Sequence, residues 1–202
     1  MTKNKSLDKR RDNRTVEEFA KQIKEWTHKE NIWAKIIQFE LKNQGNNVSL
    51  FDNGVDGDGK LIEKGNKNFK KLDKVLYING TKVFVELKTC DMGKDFDYIP
   101  CLTFKTNCIR ETIAQDGRMI VVDRDWWLIF RKDVLEIILK EIEPSIYYNF
   151  SPNDLAIRIN KKDFQKYISK SKEENKAELR RWSNKTKEVI QRYEKDLFRK
   201  HK

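Results

Sequence analysis

The sequence predicts an α/β (α+β) chain that ends in a long charged helix, and three observations carry that prediction. Apolar residues recur at helical spacing between Thr15 and Asn43. Short apolar runs broken by turn residues follow at 48–51, 72–89, 118–122, 126–130 and 155–159. From about Lys172 to Lys200 a highly charged stretch places Leu179, Trp182, Val189, Tyr193 and Leu197 at spacings consistent with one helix face. At 202 residues the chain suits one domain with appendages: a basic disordered arm at 1–14, a core at 15–168 and a basic C-terminal helix at 169–202.

Residues 1–14 hold too few apolar side chains to order themselves. Thr15 followed by Glu18 is a capping-box pattern, so a helix opens there and runs through Phe19, Ile23 and Trp26. From about Asn31 to Asn43 it continues, or a second helix forms, with Trp33, Ile36, Ile37 and Leu41 as its apolar face and Glu40 inside that face. Val48–Phe51 reads as the first strand. The segment from Asp52 to Glu63 looks superficially like a calcium loop. Gly54 stands where the third-position ligand belongs and no clear paired helix follows, so it is read as a turn-rich loop.

Leu72 to Thr89 reads as a β-hairpin. Asn79-Gly80 supplies the two-residue turn, and Val83, Phe84, Val85 and Leu87 mark the second strand. Phe96–Phe104 is apolar and irregular, broken by Pro100. Lys105–Gln115 is helical and ends at Asp116-Gly117. Arg118–Val122 and Trp126–Phe130 are strands, with Trp126 and Trp127 read as core, and a helix follows over Lys132–Lys140. A loop between Pro144 and Pro152 carries Tyr147, Tyr148 and Phe150, for which packing is the favoured use over base stacking. Leu155–Ile159 alternates as a strand, and Asp163–Ser169 is a short helix.

The chemistry concentrates in the hairpin. Residues i and i+2 of a strand share a face, so Glu86 and Lys88 project together while Val85 and Leu87 point the other way. Pairing across Asn79-Gly80 returns Asp73 to their neighbourhood. Two carboxylates held together repel and raise each other's pKa unless a cation joins them. A hard dication such as Mg²⁺ needs only one or two carboxylates and keeps waters for a phosphate substrate. A lysine beside it orients or deprotonates a water, or neutralises charge developing on phosphorus.

Asp73, a thirteen-position step and Glu86-Leu87-Lys88, flanked by hydrophobic residues, resemble the signature of the PD-(D/E)XK nuclease superfamily, over roughly Ile32 to Leu139. Leu72 stands where that signature has proline. The resemblance implies a restriction-endonuclease-like core, a central mixed β-sheet flanked by helices in the order α-β-β-β-α-β. It implies Mg²⁺, with Mn²⁺ able to substitute, held by Asp73, Glu86 and the backbone carbonyl of Leu87, with Lys88 at the attacking water. It also implies an accessory acid on the first helix, for which Glu40 qualifies by its facing and Glu30 by its place nearer the start, and it sets Asp56 and Asp58 near the edge of the site. The activity implied is DNA endonuclease action, of restriction, phage or mobile-element type. Alternatives are a resolvase of Holliday junctions or branched DNA, and a non-catalytic nucleic-acid-binding protein in which Glu86 and Lys88 are a structural ion pair.

Charge agrees with a polyanionic partner. The net charge is +11, and it sits at the ends: residues 1–15 hold six Lys/Arg against two Asp, and residues 161–202 hold fifteen Lys/Arg against seven acids. A solvated lysine-rich surface is the plain alternative. Lys64, Lys67, Lys70, Lys71, Lys105, Arg110, Arg180 and Arg181 are the candidate phosphate contacts. DNA is the expected partner and RNA stays open. The C-terminal apolar seam either docks on the core or pairs two copies into a homodimer. No apolar run is long enough to cross a membrane and the N-terminus lacks a secretory pattern. Cys90, Cys101 and Cys108 form no C-x-x-C pair, so they are expected as reduced thiols in an intracellular, cytoplasmic setting.

Overall fold

The computed structural model describes residues 16–52, 72–90, 92–146, 155–169 and 176–198. The basic arm, the acidic loop with Asp56 and Asp58, the lysines at 64, 67, 70 and 71, and the aromatic loop at 147–150 lie outside the described residues.

A single helix, α1 (Val16–Asn43), spans what the periodicity left as one helix or two. Its 28 residues make it about 42 Å long, longer than the sheet beneath it is tall. The strands of that sheet are β1 (Val48–Asp52), β2 (Lys74–Ile78), β3 (Thr81–Thr89), β5 (Arg118–Val122), β6 (Trp126–Phe130), β10 (Ala177–Arg181) and the two-residue β9 (Ile168–Ser169). They lie in the order β1-β2-β3-β5-β6-β10-β9. The sheet is mixed: β1, β2 and β3 run antiparallel, β3 and β5 parallel, β5, β6 and β10 antiparallel, and β10 and β9 parallel. The parallel step from β3 to β5 requires a crossover. It is supplied by β4 (Cys101–Lys105) and α2 (Thr106–Ala114). A second sheet, β4-β8-β7, adds β8 (Leu155–Asn160) and β7 (Ser145–Ile146). The remaining helices are α3 (Lys132–Glu141), α4 (Lys161–Tyr167), α5 (Asn184–Arg192) and α6 (Glu194–Leu197).

Alternation along the strands divides the apolar side chains between two cores. Val83, Val85, Leu87, Ile120, Val122, Trp127 and Ile129 face α1 and pack with Trp33, Ile36, Ile37, Trp182, Ile190 and Leu197. Met119, Val121, Trp126, Leu128 and Phe130 face the opposite way, onto Ile109, Val134, Leu135, Ile138, Ile157 and Ile159. Trp126 and Trp127, next to each other in sequence, therefore anchor different cores, both fully buried.

Two expectations need correction. Phe96–Phe104 is a 3₁₀ turn at Phe96–Tyr98 followed by strand β4, because Leu102 and Phe104 alternate into the second core. The C-terminal segment is not one long helix. Ala177–Arg181 adds a strand to the main sheet, Ser183 caps α5 through its hydroxyl and α6 follows. Helical spacing grouped Leu179 with Trp182 and Leu197, but the structure sends Leu179 into one core and Trp182 and Leu197 into the other. The boundary at 169 therefore cuts through one sheet, and of the seam Leu179, Trp182, Val189 and Leu197 pack inside the molecule while Tyr193 stays exposed.

Candidate active site

The hairpin forms as its turn residues dictate: Asn79 and Gly80 have φ of 51° and 83°, the pair of positive values that a two-residue turn matching strand twist requires. Register then follows. Ile78 pairs with Thr81, and Lys74 pairs with Val85 as the last rung. Beyond that rung β3 continues alone on this side, so the edges of Glu86 to Thr89 lie open toward the start of β2. Asp73 fills the opening. Its Oδ2 accepts the N–H of Leu87 at 2.8 Å. A strand residue directs its N–H and C=O to the same edge, so the carbonyl of Leu87 also faces the Asp73 side.

Glu86 and Lys88 stand on the β3 face opposite α1, with Lys88 Nζ 2.6 Å from Glu86 Oε1. The Glu86 side chain is 9% exposed and that of Lys88 33%, so the pair is reachable from solvent at the lysine end. Burial alone would lower the lysine's pKa, but the carboxylates of Glu86 and Asp73 outweigh it and hold the ammonium protonated. Burial pushes the Asp73 carboxyl up to about 6, aided by Glu86 and opposed by Lys88 and the Leu87 N–H.

Of the two glutamates on the first helix, the structure brings in Glu30 and not Glu40. Glu30 is pushed up to about 8, first by burial and then by the charge of Asp73, with Lys88 and Lys74 pulling the other way and Glu86 adding to the rise. Glu40 lies ten residues further along α1, about 15 Å away. Its Oε2 accepts from the Ser183 hydroxyl at 2.6 Å and from the Thr186 hydroxyl, and its Oε1 accepts from Gln44 at 2.9 Å. Glu40 thus ties the start of α5 to α1. That structural task accounts for a carboxylate inside an apolar helix face.

Two residues joined the site without being foreseen. Lys74 is buried within β2, where its ammonium contacts Asn31 and lies 2.5 Å from Asp52. It braces the helix turn that carries Glu30 against the sheet. A lysine inside the apolar run Lys74–Ile78 was the available signal. Cys108 on α2 donates its thiol to Glu86, and burial pushes that thiol up to about 11, with Lys88 opposing and Glu86 adding. None of the three cysteines is in a disulfide, and all are half-buried.

The candidate phosphate contacts fare unequally. Lys105 ends β4 and acts electrostatically on Cys108, and Arg110 is exposed on α2. Arg180 lies 2.7 Å from Glu178 and over the Trp127 ring, and Arg181 lies 2.7 Å from Asp95. Both sit in β10, at a distance of several strands from Asp73, and not on the outer face of a helix.

Three carboxylates, two ammoniums and one thiol therefore meet where β2 begins and β3 runs on. Among the described residues no group of three or more His, Cys, Asp and Glu side chains is gathered into a ready-made metal cage. Asp73, Glu86 and the Leu87 carbonyl form the smaller oxygen set that a Mg²⁺ retaining several waters requires. Asp73, raised first by burial and further by the charge of Glu86, is a carboxyl whose charged form a dication would favour, so the donor chemistry fits. Compared with family models, curated proteins and solved structures, the chain matches none of them.

Proposed function

We propose that the protein is a Mg²⁺-dependent nuclease of PD-(D/E)XK type acting on DNA. The observation that carries the reading is the convergence of Asp73, Glu86, Lys88 and Glu30 at one open strand end, across elements 43 to 58 residues apart at their extremes in sequence. The element order supports it too: in the main sheet, α1, three antiparallel strands, α2 and then a strand parallel to the third match the α-β-β-β-α-β order of a restriction-endonuclease-like core, with β4 of the second sheet inserted before α2. When bound, the metal would polarise the scissile phosphate and lower the pKa of a coordinated water.

This chain's residues do the rest. Asp73 and Glu86 would hold the ion, with the Leu87 carbonyl on the same edge. With Glu86 engaged by the metal, Lys88 would be free to place an N–H at the attacking water or a phosphate oxygen. As an ammonium it serves as a donor that offsets negative charge growing on phosphorus. Glu30 stands opposite, able to take a proton near neutral pH. Lys74 and Asn31 keep it there.

The deciding measurement is incubation of supercoiled plasmid with Mg²⁺, Mn²⁺ or EDTA, beside Glu86→Ala and Lys88→Ala. Metal-dependent nicking or linearisation is expected, reduced about 100-fold or more in each variant. Cleavage that survives both substitutions removes the reading. The closed Glu86–Lys88 pair at 2.6 Å favours a second reading, a nucleic-acid-binding protein that keeps the pair as structure. That reading requires DNA binding unchanged in EDTA and in Asp73→Ala, with no cleavage of plasmid, branched DNA or RNA.

A further inference from the structure

The face of β1, β2 and β3 turned away from α1 carries more than Glu86 and Lys88. Register places Ser49 and Phe51 of β1, Val75 and Tyr77 of β2, and Lys82 and Phe84 of β3 on it. Phe51, on the edge strand, is 54% exposed and Tyr77, on the strand beside it, 38%, so two large aromatics stand open to solvent on this face. Their rings meet edge to face with centroids 5.6 Å apart. Lys82 lies over the Phe84 ring at 4.5 Å. A depression of 490 Å³ opens here, lined by Phe51, Tyr77, Val75, Lys82, Asn47 and Ser49 among others. Asp52, the one acid on its wall, is already paired with Lys74.

We propose that this face is a stacking platform for unpaired bases of the nucleic-acid strand whose backbone enters the candidate site. The inference rests on the nucleic-acid reading above and narrows it to a substrate with a single-stranded or frayed segment. Aromatic faces with a polar and basic rim bind successive bases without regard to sequence. An apolar protein partner would want a dry, uncharged patch, whereas Lys82, Asn47 and Ser49 suit a sugar-phosphate strand. The platform is continuous with the site. Phe51 lies two strands across and two residues along from Glu86, about 12 Å by strand spacing and rise. That is roughly three to four stacked nucleotides at about 3.4 Å each.

The test is fluorescence anisotropy of short labelled oligo(dT), oligo(U) and blunt duplex DNA with the full chain in EDTA, where no cleavage intrudes. Phe51→Ala/Tyr77→Ala is compared with Phe51→Trp/Tyr77→Phe, which keeps the π faces, and with Phe51→Leu/Tyr77→Leu, which keeps only apolar bulk. The alanine and leucine pairs are expected to weaken oligonucleotide binding about 10- to 100-fold, with duplex binding changed far less, while the aromatic pair binds like the parent. A stronger effect on oligo(U) than on oligo(dT) would assign the platform to RNA. Binding of oligonucleotides by the alanine pair within twofold of the parent overturns the proposal, as does full binding by the leucine pair. So does a parent chain that binds no oligonucleotide, or alanine substitutions that change only self-association in size-exclusion chromatography. Metal-dependent cleavage with unaltered oligonucleotide binding in the alanine pair would remove the platform and leave the nuclease. Loss of that binding in a chain that never cleaves would keep the platform and remove the nuclease.

Discussion

Among the described carboxyls, Glu30 is raised furthest by the fold. Its carboxyl is raised to about 8 from an ordinary 4.5, so between those pH values the folded chain binds more protons than the unfolded one. Stability therefore falls as pH rises from about 4.5 to about 8, and Asp73, raised to about 6, adds to the fall at the acid end. In EDTA the folded state should lose on the order of 1–3 kcal/mol across that window, allowing for solvent screening of a half-buried group. Denaturant titration at pH 5 and pH 8 measures the loss. Glu30→Gln should flatten it, and an unaltered slope would mean that Glu30 does not face Asp73. Added Mg²⁺ should offset the loss at pH 8 and do little at pH 5, because protons and the dication compete for the same oxygens.

Glu40 behaves oppositely. Burial raises its pKa, but the hydroxyls of Ser183 and Thr186 and the Gln44 amide lower it more. Its folded pKa lies below its unfolded one, so the stability it contributes is present above pH 4.5 and lost as pH falls further. Glu40→Ala leaves two hydroxyls without their acceptor and should cost about 2–4 kcal/mol. Cleavage, if limited by chemistry at Asp73, should persist in the surviving folded fraction. A catalytic defect without a stability defect would return Glu40 to the site.

At the scale of elements, the start of β2 depends on a close approach at Gly117. A Cβ there would lie 2.5 Å from Leu72 Cδ1, 3.2 Å from the Phe84 carbonyl oxygen and 3.3 Å from that of Thr112. The two backbone atoms cannot move aside, and Leu72 is the residue next to Asp73. Gly117→Ala is expected to cost about 1–3 kcal/mol by overpacking and to disturb Asp73 as Leu72 shifts. Thermal unfolding together with the plasmid assay separates the two effects. The left-handed Asp116 at φ 50° just before it ends the α2 segment, as the Asp-Gly pair suggested. Opposite it in the fold, Asp123 orders the turn after β3 by accepting the N–H groups of Met92, Gly93 and Arg124. The chain leaving Lys88 is thereby held close to the sheet.

For the whole molecule, the C-terminal segment decides whether there is one unit or two. Trp182 stacks between Trp33 of α1 and Trp127 of β6, with centroids at 6.0 and 5.2 Å. Its indole N–H donates to the Asp123 carbonyl at 2.9 Å. One side chain thus joins the first helix, the middle of the sheet and the turn between β5 and β6. Trp182→Ala should cost about 3–5 kcal/mol, and removal of residues 176–202 should abolish cooperative unfolding instead of trimming an appendage. A truncated chain that still melts cooperatively near the parent's temperature would show that β10 is dispensable.

What could be read from the sequence was local. Asn79-Gly80 dictates a hairpin because only such residues tolerate two positive φ values, and the twofold alternation of β3 then places Glu86 with Lys88 and apart from Leu87. Apolar spacing likewise placed α3, β5, β6 and β8 within a residue or two, and left open whether α1 was one helix or two. Tertiary structure decided everything that depends on which distant surfaces meet. Glu30 and Glu40 are both spaced to reach the sheet from α1, and only the packed position of the helix sends one to Asp73 and the other to Ser183. Leu179, Trp182 and Leu197 satisfy helical spacing, yet an unpaired edge at β6 recruits the first of them as a strand, because unmet backbone groups and a buried flank outweigh the weak helical preference of a charged segment.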